Sequence, residues 1–398
     1  MTSAPNSRRR ADLRLLMAGR LLRAFGFGFA IVLLGVHLQN RRLSPAQIGL
    51  VLAVGLTAAA LSSLVAAVAA RQFGNRRTLS AIGLLMFLCG TDLAFANNLW
   101  LLLLAAATGM IGAASTDTGP FLAVEQAILT DAASPEERNR AFARYALSGA
   151  AAGAAGAFSA GLGTDLWRTQ AFFALYGMLG LATAAIPFLL SDRVEHGATG
   201  APVFGSIRPL FGLAALFSLD SFGGGLVTNS LLVYLLHIRF GTSPAVLGPA
   251  FGVMSLLGAL SFELSGRIAD RIGLIRTMIF THLPSSLLLL AIPVLPTDWS
   301  VLGVLILRSC VSSMDQPARG AYVVSIVKPG DRSGALAFIG ATRGVAGGAG
   351  SALSGVAIQS SLLGLPFIVG GVLKTVYDTW LYFGYRSRYG DHETAGRN

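Results

Sequence analysis

Among the ionisable residues that interrupt otherwise apolar sequence, six are the first candidates for chemistry: Asp117, Asp220, Arg308, Asp315, Arg343 and Lys374. A charge inside a long apolar segment is costly wherever that segment meets lipid. Each such residue is therefore a candidate for carrying an ion or gripping a polar solute. At about 1.5 Å per helical residue, Asp220, Arg308, Arg343 and Lys374 fall near the middle of their apolar runs. Asp220 is the first candidate for proton coupling, because a carboxylate at that depth has two accessible states: ion-paired with a base such as Arg308, or protonated. Asp378 follows Lys374 by four residues and Arg319 follows Asp315 by four, the spacing of neighbours on one helix face, so two local pairs are expected. Arg20 and Arg23 are placed to snorkel toward headgroups. Asp92 and Glu263 lie nearer the ends of their runs and read as structural. His37, His237 and His282 stand alone, without the spacing of metal ligands.

The elements that must hold these residues are long apolar runs. The chain is 54% hydrophobic and 12% charged, with a mean hydropathy of +0.65, whereas a soluble domain carries about a quarter charged residues. Twelve runs near the ~20 residues needed to cross a bilayer follow one another: 15–38, 46–70, 79–96, 99–121, 142–162, 171–190, 210–236, 245–264, 277–295, 301–327, 335–358 and 363–383. In lipid they must be helices, since unpaired backbone groups find no water there. An all-α membrane protein with twelve spans is expected.

The net charge of +11 invites a nucleic-acid reading, but its placement removes it. With the N-terminus inside, 20 of the 30 Lys and Arg lie in inner segments, and four, Arg41, Arg42, Arg168 and Arg239, lie in outer loops. That asymmetry orients a multi-pass protein of a bacterial-type inner membrane with both termini cytoplasmic. Ser7-Arg8-Arg9-Arg10 before the first run lacks a small-residue cleavage site, so the first span is expected to be retained. Cys89 and Cys310 both fall within runs, and neither a disulfide framework nor a zinc site is indicated. No nucleotide P-loop, His-Glu-x-x-His or Gly-x-Ser-x-Gly motif occurs, so neither an enzyme nor a bound cofactor is expected. Energy for any transport must come from an ion gradient or from the substrate itself.

The chain repeats itself at half its length. Gly266-Arg-Ile-Ala-Asp270-Arg271-Ile-Gly273-Leu-Ile-Arg276 follows span 8, and 199 residues earlier Ala67–Arg77 follows span 2. The first copy is degraded: Arg71 stands in place of the acid and Ala67 in place of the glycine, while Gly74, Arg76 and Arg77 survive. Asp117 and Asp315 likewise correspond, at a displacement of 198. Two six-span units, 1–190 and 210–398, joined by a polar linker at 191–209, are the expected organisation. Spans 5 and 11 are rich in small residues, with Gly149/Gly153 and Gly344/Gly348 at the four-residue spacing of close helix contacts.

The loop motif, its repetition and the twelve spans resemble the major facilitator superfamily, in particular its twelve-helix drug/proton antiporters, although span 5 lacks the Gly-Pro pair of that type. The resemblance implies two pseudo-symmetric six-helix bundles whose spans 1, 4, 7 and 10 line a central cavity. That brings Asp220 and Arg308 to the cavity, and Asp117 and Asp315 to its inner mouth. It also implies that Gly266, Asp270, Arg271, Gly273 and Arg276 form a conformational latch. Proton-coupled export of small amphiphilic compounds by a monomer is the expected function. The alternatives are transport of an organic anion held by Arg308 or Arg343, and a non-transporting membrane receptor on the same fold.

Overall fold

The computed structural model describes residues 4–112, 119–132, 138–163, 165–196, 210–328 and 331–385. Every regular element among them is helical. Span 1 is α1 (Ala4–Asn40), span 2 is α2 (Pro45–Phe73) and span 3 is α3 (Asn75–Phe95). Span 4 comprises α4 (Leu99–Ala107) and α5 (Pro120–Ala132), followed by α6 (Arg138–Ser159) and α7 (Leu166–Ala185). In the second half, span 7 comprises α8 (Phe211–Gly225) and α9 (Asn229–Phe240), then come α10 (Pro244–Ile272) and α11 (Leu274–Ala291). Span 10 comprises α12 (Asp298–Ser309) and α13 (Asp315–Ser325), and α14 (Arg332–Gln359) and α15 (Leu365–Tyr385) complete the twelve.

Spans 4, 7 and 10 were expected as continuous helices, and each is broken. The cause is local in every case. In span 4, Gly109 and Gly112 take positive φ values of 74° and 66°. In span 7, Gly223–Gly225 precedes the break, and glycine holds a helix poorly. In span 10, Ser309 Oγ bonds back to the Ile306 carbonyl at 2.6 Å, and the Val311 and Ser312 amides both turn to the Arg308 carbonyl, closing the helix at Cys310. Interrupted backbone at membrane depth is tolerated where it lines a cavity.

The 199-residue offset recurs in the geometry. Ser44 and Ser243 are N-caps of α2 and α10, and Pro45 and Pro244 occupy the first helical turn, where proline's missing N–H costs nothing. Gly74 and Gly273 each end one helix and begin the next with φ near +88° and +89°. Thr78 and Thr277 each donate to the carbonyl of that glycine at 2.8 Å.

The halves meet around a pseudo-twofold axis. Ile31 and Ser230 are themselves 199 residues apart, and the Ser230 hydroxyl donates to the Ile31 carbonyl at 3.0 Å. Around that contact α2 packs on α14 and α6 on α10. A Cβ on Gly49 would lie 2.6 Å from Gly355 Cα, and one on Gly248 would lie 2.4 Å from the Ala157 carbonyl oxygen. These small residues replace side-chain packing by backbone contact. Further along the same helices the halves separate. Gly344 still meets Ala60, but Gly340 and Gly266 have nothing within 4 Å. The halves therefore part toward the end that holds the Gly74 and Gly273 turns and meet closely at the other.

Candidate functional site

The C-terminal half holds a buried polar cluster centred on Asp220, ten residues into α8. Lys374 Nζ of α15 lies 2.6 Å from Asp220 Oδ1, and Arg319 Nη1 of α13 lies 3.0 Å from Oδ2. His282 Nε2 of α11 is 3.2 Å from Oδ1, and Arg343 Nη2 of α14 is 3.6 Å from Oδ2. Two more carboxylates extend the network. Arg319 also pairs with Asp315 at the start of α13, where the positive end of the helix favours an acid. His282 Nδ1 lies 2.9 Å from Asp378. One aspartate thus joins spans 7, 9, 10, 11 and 12. Asp220, Asp315 and Asp378 are each no more than 2% exposed, and buried charges of this kind persist only when paired and hydrogen-bonded.

The network differs from the sequence reading in three respects. Arg308 is not the partner of Asp220. It lies within electrostatic reach of Asp220 and Asp315, but forms no hydrogen bond or ion pair among the described residues. Lys374 and Asp378 do not neutralise each other; their helix turns them to Asp220 and His282. His282, read as a lone histidine, bridges two carboxylates. Asp220, His282 and Asp315 have donor atoms within 4.8 Å of one another, the kind of set that can hold a metal. Arg319 and Lys374 already place two positive charges on those aspartates.

A second cluster sits in the N-terminal half. Arg23 pairs with Glu125 of α5, which also accepts a 2.5 Å bond from the Tyr145 hydroxyl of α6. Arg23 lies over the Phe121 ring at 4.0 Å, and Arg20 over Tyr145 at 4.8 Å. Arg20 and Arg23 are 4% and 2% exposed, so neither snorkels. Gly149 gives Arg20 its room: a Cβ there would stand 2.3 Å from the guanidinium. Glu125 was missed because it lies beyond the run assigned to span 4, in the part of the span displaced by the break. Asp117 falls outside the described residues.

Comparison with known proteins decides the family. The profile described as Major Facilitator Superfamily matches residues 16–314 and 210–396, nearly the whole chain. The chain belongs to the major facilitator superfamily. It is 25% identical over 414 residues to the uncharacterized membrane protein YJR124C of Saccharomyces cerevisiae, covering 92% of each. Among solved structures, a bacterial homologue of the human lysosomal transporter Spinster, inward-facing and occupied, superposes with a TM-score of 0.75 at 15% identity over 95% of this chain and 97% of that one. The nucleoside transporter NupG gives 0.71 at 16% identity, covering 94% and 99%. The human organic anion transporter MFSD10 gives 0.65 at 16% identity, again covering 94% and 99%. At these identities the likeness is one of fold.

Each cluster is built within one half, and the loop motifs lie at the end where the halves part. The C-terminal motif is disengaged. A Cβ on Gly266 would meet nothing within 4 Å, so this glycine makes no close helix contact. Asp270, Arg271 and Arg276 are exposed, and Gly273 supplies the turn. The degraded N-terminal motif is engaged instead by residues 192–196. Arg76 Nη1 meets Asp192 at 2.7 Å, the Arg76 amide meets Glu195 at 3.3 Å, and Asn75 Nδ2 meets the Val194 carbonyl at 2.6 Å. His37 and His237 prove structural: His37 is held by Thr169 and the Leu93 carbonyl, His237 by the Thr242 carbonyl. An apolar recess of about 310 Å³ between α2, α4 and α14, lined by Ala53, Thr57, Leu61, Ala107 and Ala349, opens on the exposed outer faces of those helices and not on the clusters.

Proposed function

We propose that this chain is a secondary active transporter that exports small amphiphilic compounds by alternating access, coupled to protons, as a monomer in a bacterial-type inner membrane. The uneven placement of arginine supports a cytoplasmic location for both termini and for the open end of the cavity. The observation that carries the coupling is Asp220, a single carboxylate through which five spans are tied. While ionised it holds Lys374, Arg319, Arg343 and His282 together. Protonation removes the charge that all of them share, and the helices that carry them are freed to rearrange. Interrupted spans 7 and 10 give those helices a place to bend.

The test is flux in proteoliposomes under an imposed pH gradient, with a panel of fluorescent amphiphiles. Asp220→Asn is expected to abolish uphill accumulation while retaining exchange, since the amide mimics the neutral acid and cannot titrate. It also leaves buried cations without a counter-charge, at a cost of about 3–5 kcal/mol. Asp220→Asn combined with Lys374→Gln restores the parental net charge of the cluster and serves as the folded comparison. Uphill transport by either variant refutes the coupling role.

A further inference from the structure

The cluster around Asp220 contains more positive charge than it can neutralise. Its acids are Asp220, Asp315 and Asp378. Its bases are Arg308, Arg319, Arg343 and Lys374, before any charge on His282 is counted. Arg319 and Lys374 have direct partners at 3.0 Å or less. The surplus falls on the other two. Arg308 has no hydrogen bond or ion pair among the described residues, and its Nε is buried without a partner. Arg343 has one loose contact, 3.6 Å to Asp220, and its Nε is likewise buried and unpaired. Its side chain is 30% exposed and Arg308 is also only half-buried, while Asp220, His282, Asp315, Arg319, Lys374 and Asp378 are closed to solvent.

Position adds to the argument. Arg308 is in the last turn of α12, at the edge of the Cys310–Met314 break. Arg343 lies one residue before Gly344, the point at which α14 leaves Ala60 of the other half. Arg343 therefore stands where the two halves part, and Arg308 shares its acidic neighbours, Asp220 and Asp315. A guanidinium with free N–H groups at the wall of a low-dielectric cavity is a ready receptor for a planar or tetrahedral oxyanion, which it grips through two parallel hydrogen bonds. An uncompensated buried cation is otherwise unfavourable.

We infer that Arg308 and Arg343 form an anion subsite, and that the transported amphiphile carries one acidic group, a carboxylate, phosphonate or sulfonate, that docks there. The inference rests on the transporter reading for its second half only; the subsite stands as a binding site whether or not the bound molecule is moved. With His282 neutral, one anion brings the cluster to four charges of each sign. It also draws Arg343 away from Asp220, which links loading of the cavity to the coupling carboxylate.

The test uses the full chain in nanodiscs and matched probes: 4-phenylbutyrate, octanoate and phenylphosphonate, each beside its uncharged amide or ester. Melting temperature is followed at fixed ionic strength. Charged probes are expected to raise it, and their uncharged counterparts to leave it unchanged. Arg308→Gln and Arg343→Gln are expected to weaken the response at least tenfold, and Arg308→Lys to retain part of it. Because each glutamine variant removes a cation in excess of the cluster's acids, its ligand-free melting temperature is expected to equal or exceed that of the parent. A merely structural arginine would show the reverse. No response to any charged probe, equal responses to the neutral set, or responses that survive both substitutions would sink the subsite. Arginine-dependent binding without flux into proteoliposomes keeps the subsite and refutes transport. Flux of the neutral probes alone keeps transport and refutes the subsite.

Discussion

Each half of the molecule ties its first span to its fourth with a buried ion pair, and the two pairs have opposite polarity. In the N-terminal half the base is on span 1 (Arg23) and the acid on span 4 (Glu125); in the C-terminal half the acid is on span 7 (Asp220) and the base on span 10 (Arg319). Removing one partner of a buried pair costs about 3–5 kcal/mol, because the other is left charged and unsolvated. Arg23→Glu or Glu125→Arg alone is expected to lower the folded yield and the melting temperature, and the exchanged double variant to recover at least half of the loss. Fluorescence-detected size-exclusion chromatography reports the yield; a double variant as poor as the sum of the singles would mean that the pair is not what holds α1 to α5. The sequence marked Asp220 as a buried acid at the right depth, yet assigned it Arg308. Depth follows from counting residues along a helix, whereas partner choice depends on the path the chain takes. Arg319, eleven residues on, lies about three turns along from Arg308 on the same face, and after the break at Cys310–Met314 it is Arg319 that reaches Asp220. His282 escaped because a single histidine on span 9 acquires meaning only when spans 7 and 12 bring Asp220 and Asp378 to its two nitrogens.

At the level of elements, what survives of the duplication is backbone geometry more than charge. The acid of the loop motif is lost from the first copy, and Asp192 and Glu195 meet Arg76 from outside the motif. Asp192 is 92% exposed, so its pair with Arg76 contributes little to stability. The glycine turn is kept in both copies, because φ near +88° with an extended ψ is a conformation that only glycine adopts without strain. Gly74→Ala and Gly273→Ala are each expected to destabilise by about 1–3 kcal/mol, seen as a lower melting temperature. Gly303→Ala, in α12 with open space around its Cα, is expected to be neutral or stabilising. Equal behaviour at all three positions would show that the turns relax. Apolar runs located the spans because lipid requires them, although the span 4 run stops at 121 and its helix continues to Ala132. Three interruptions were hidden, since glycines and serines within a span keep the run apolar while releasing the helix.

On the scale of the whole molecule, the halves meet closely at one end and part at the other. The closure is made by backbone-close crossings of α2 with α14 and of α6 with α10, and by the contact of α1 with α9. Such crossings gain dispersion energy from small residues and involve little side-chain ordering, so they can separate and re-form without repacking a core. The duplication and the twelve spans foretold this architecture, but which end is shut is a property of the state and not of the sequence. At the shut end the Ala46 amide lies 3.2 Å from Gln359 Oε1, across the two halves. Cysteines at these two positions, with Cys89 and Cys310 replaced, are expected to be joined readily by a short bis-maleimide. If transport requires this end to open once in each cycle, the joined protein should bind ligand and carry none across a proteoliposome membrane. The separate single-cysteine variants, treated identically, should transport at the parental rate, because neither is linked. A cleavable linker adds the decisive arm: flux should return when it is cut. Undiminished flux through the joined protein would mean that the closed end need not open, and alternating access about this axis would have to be abandoned.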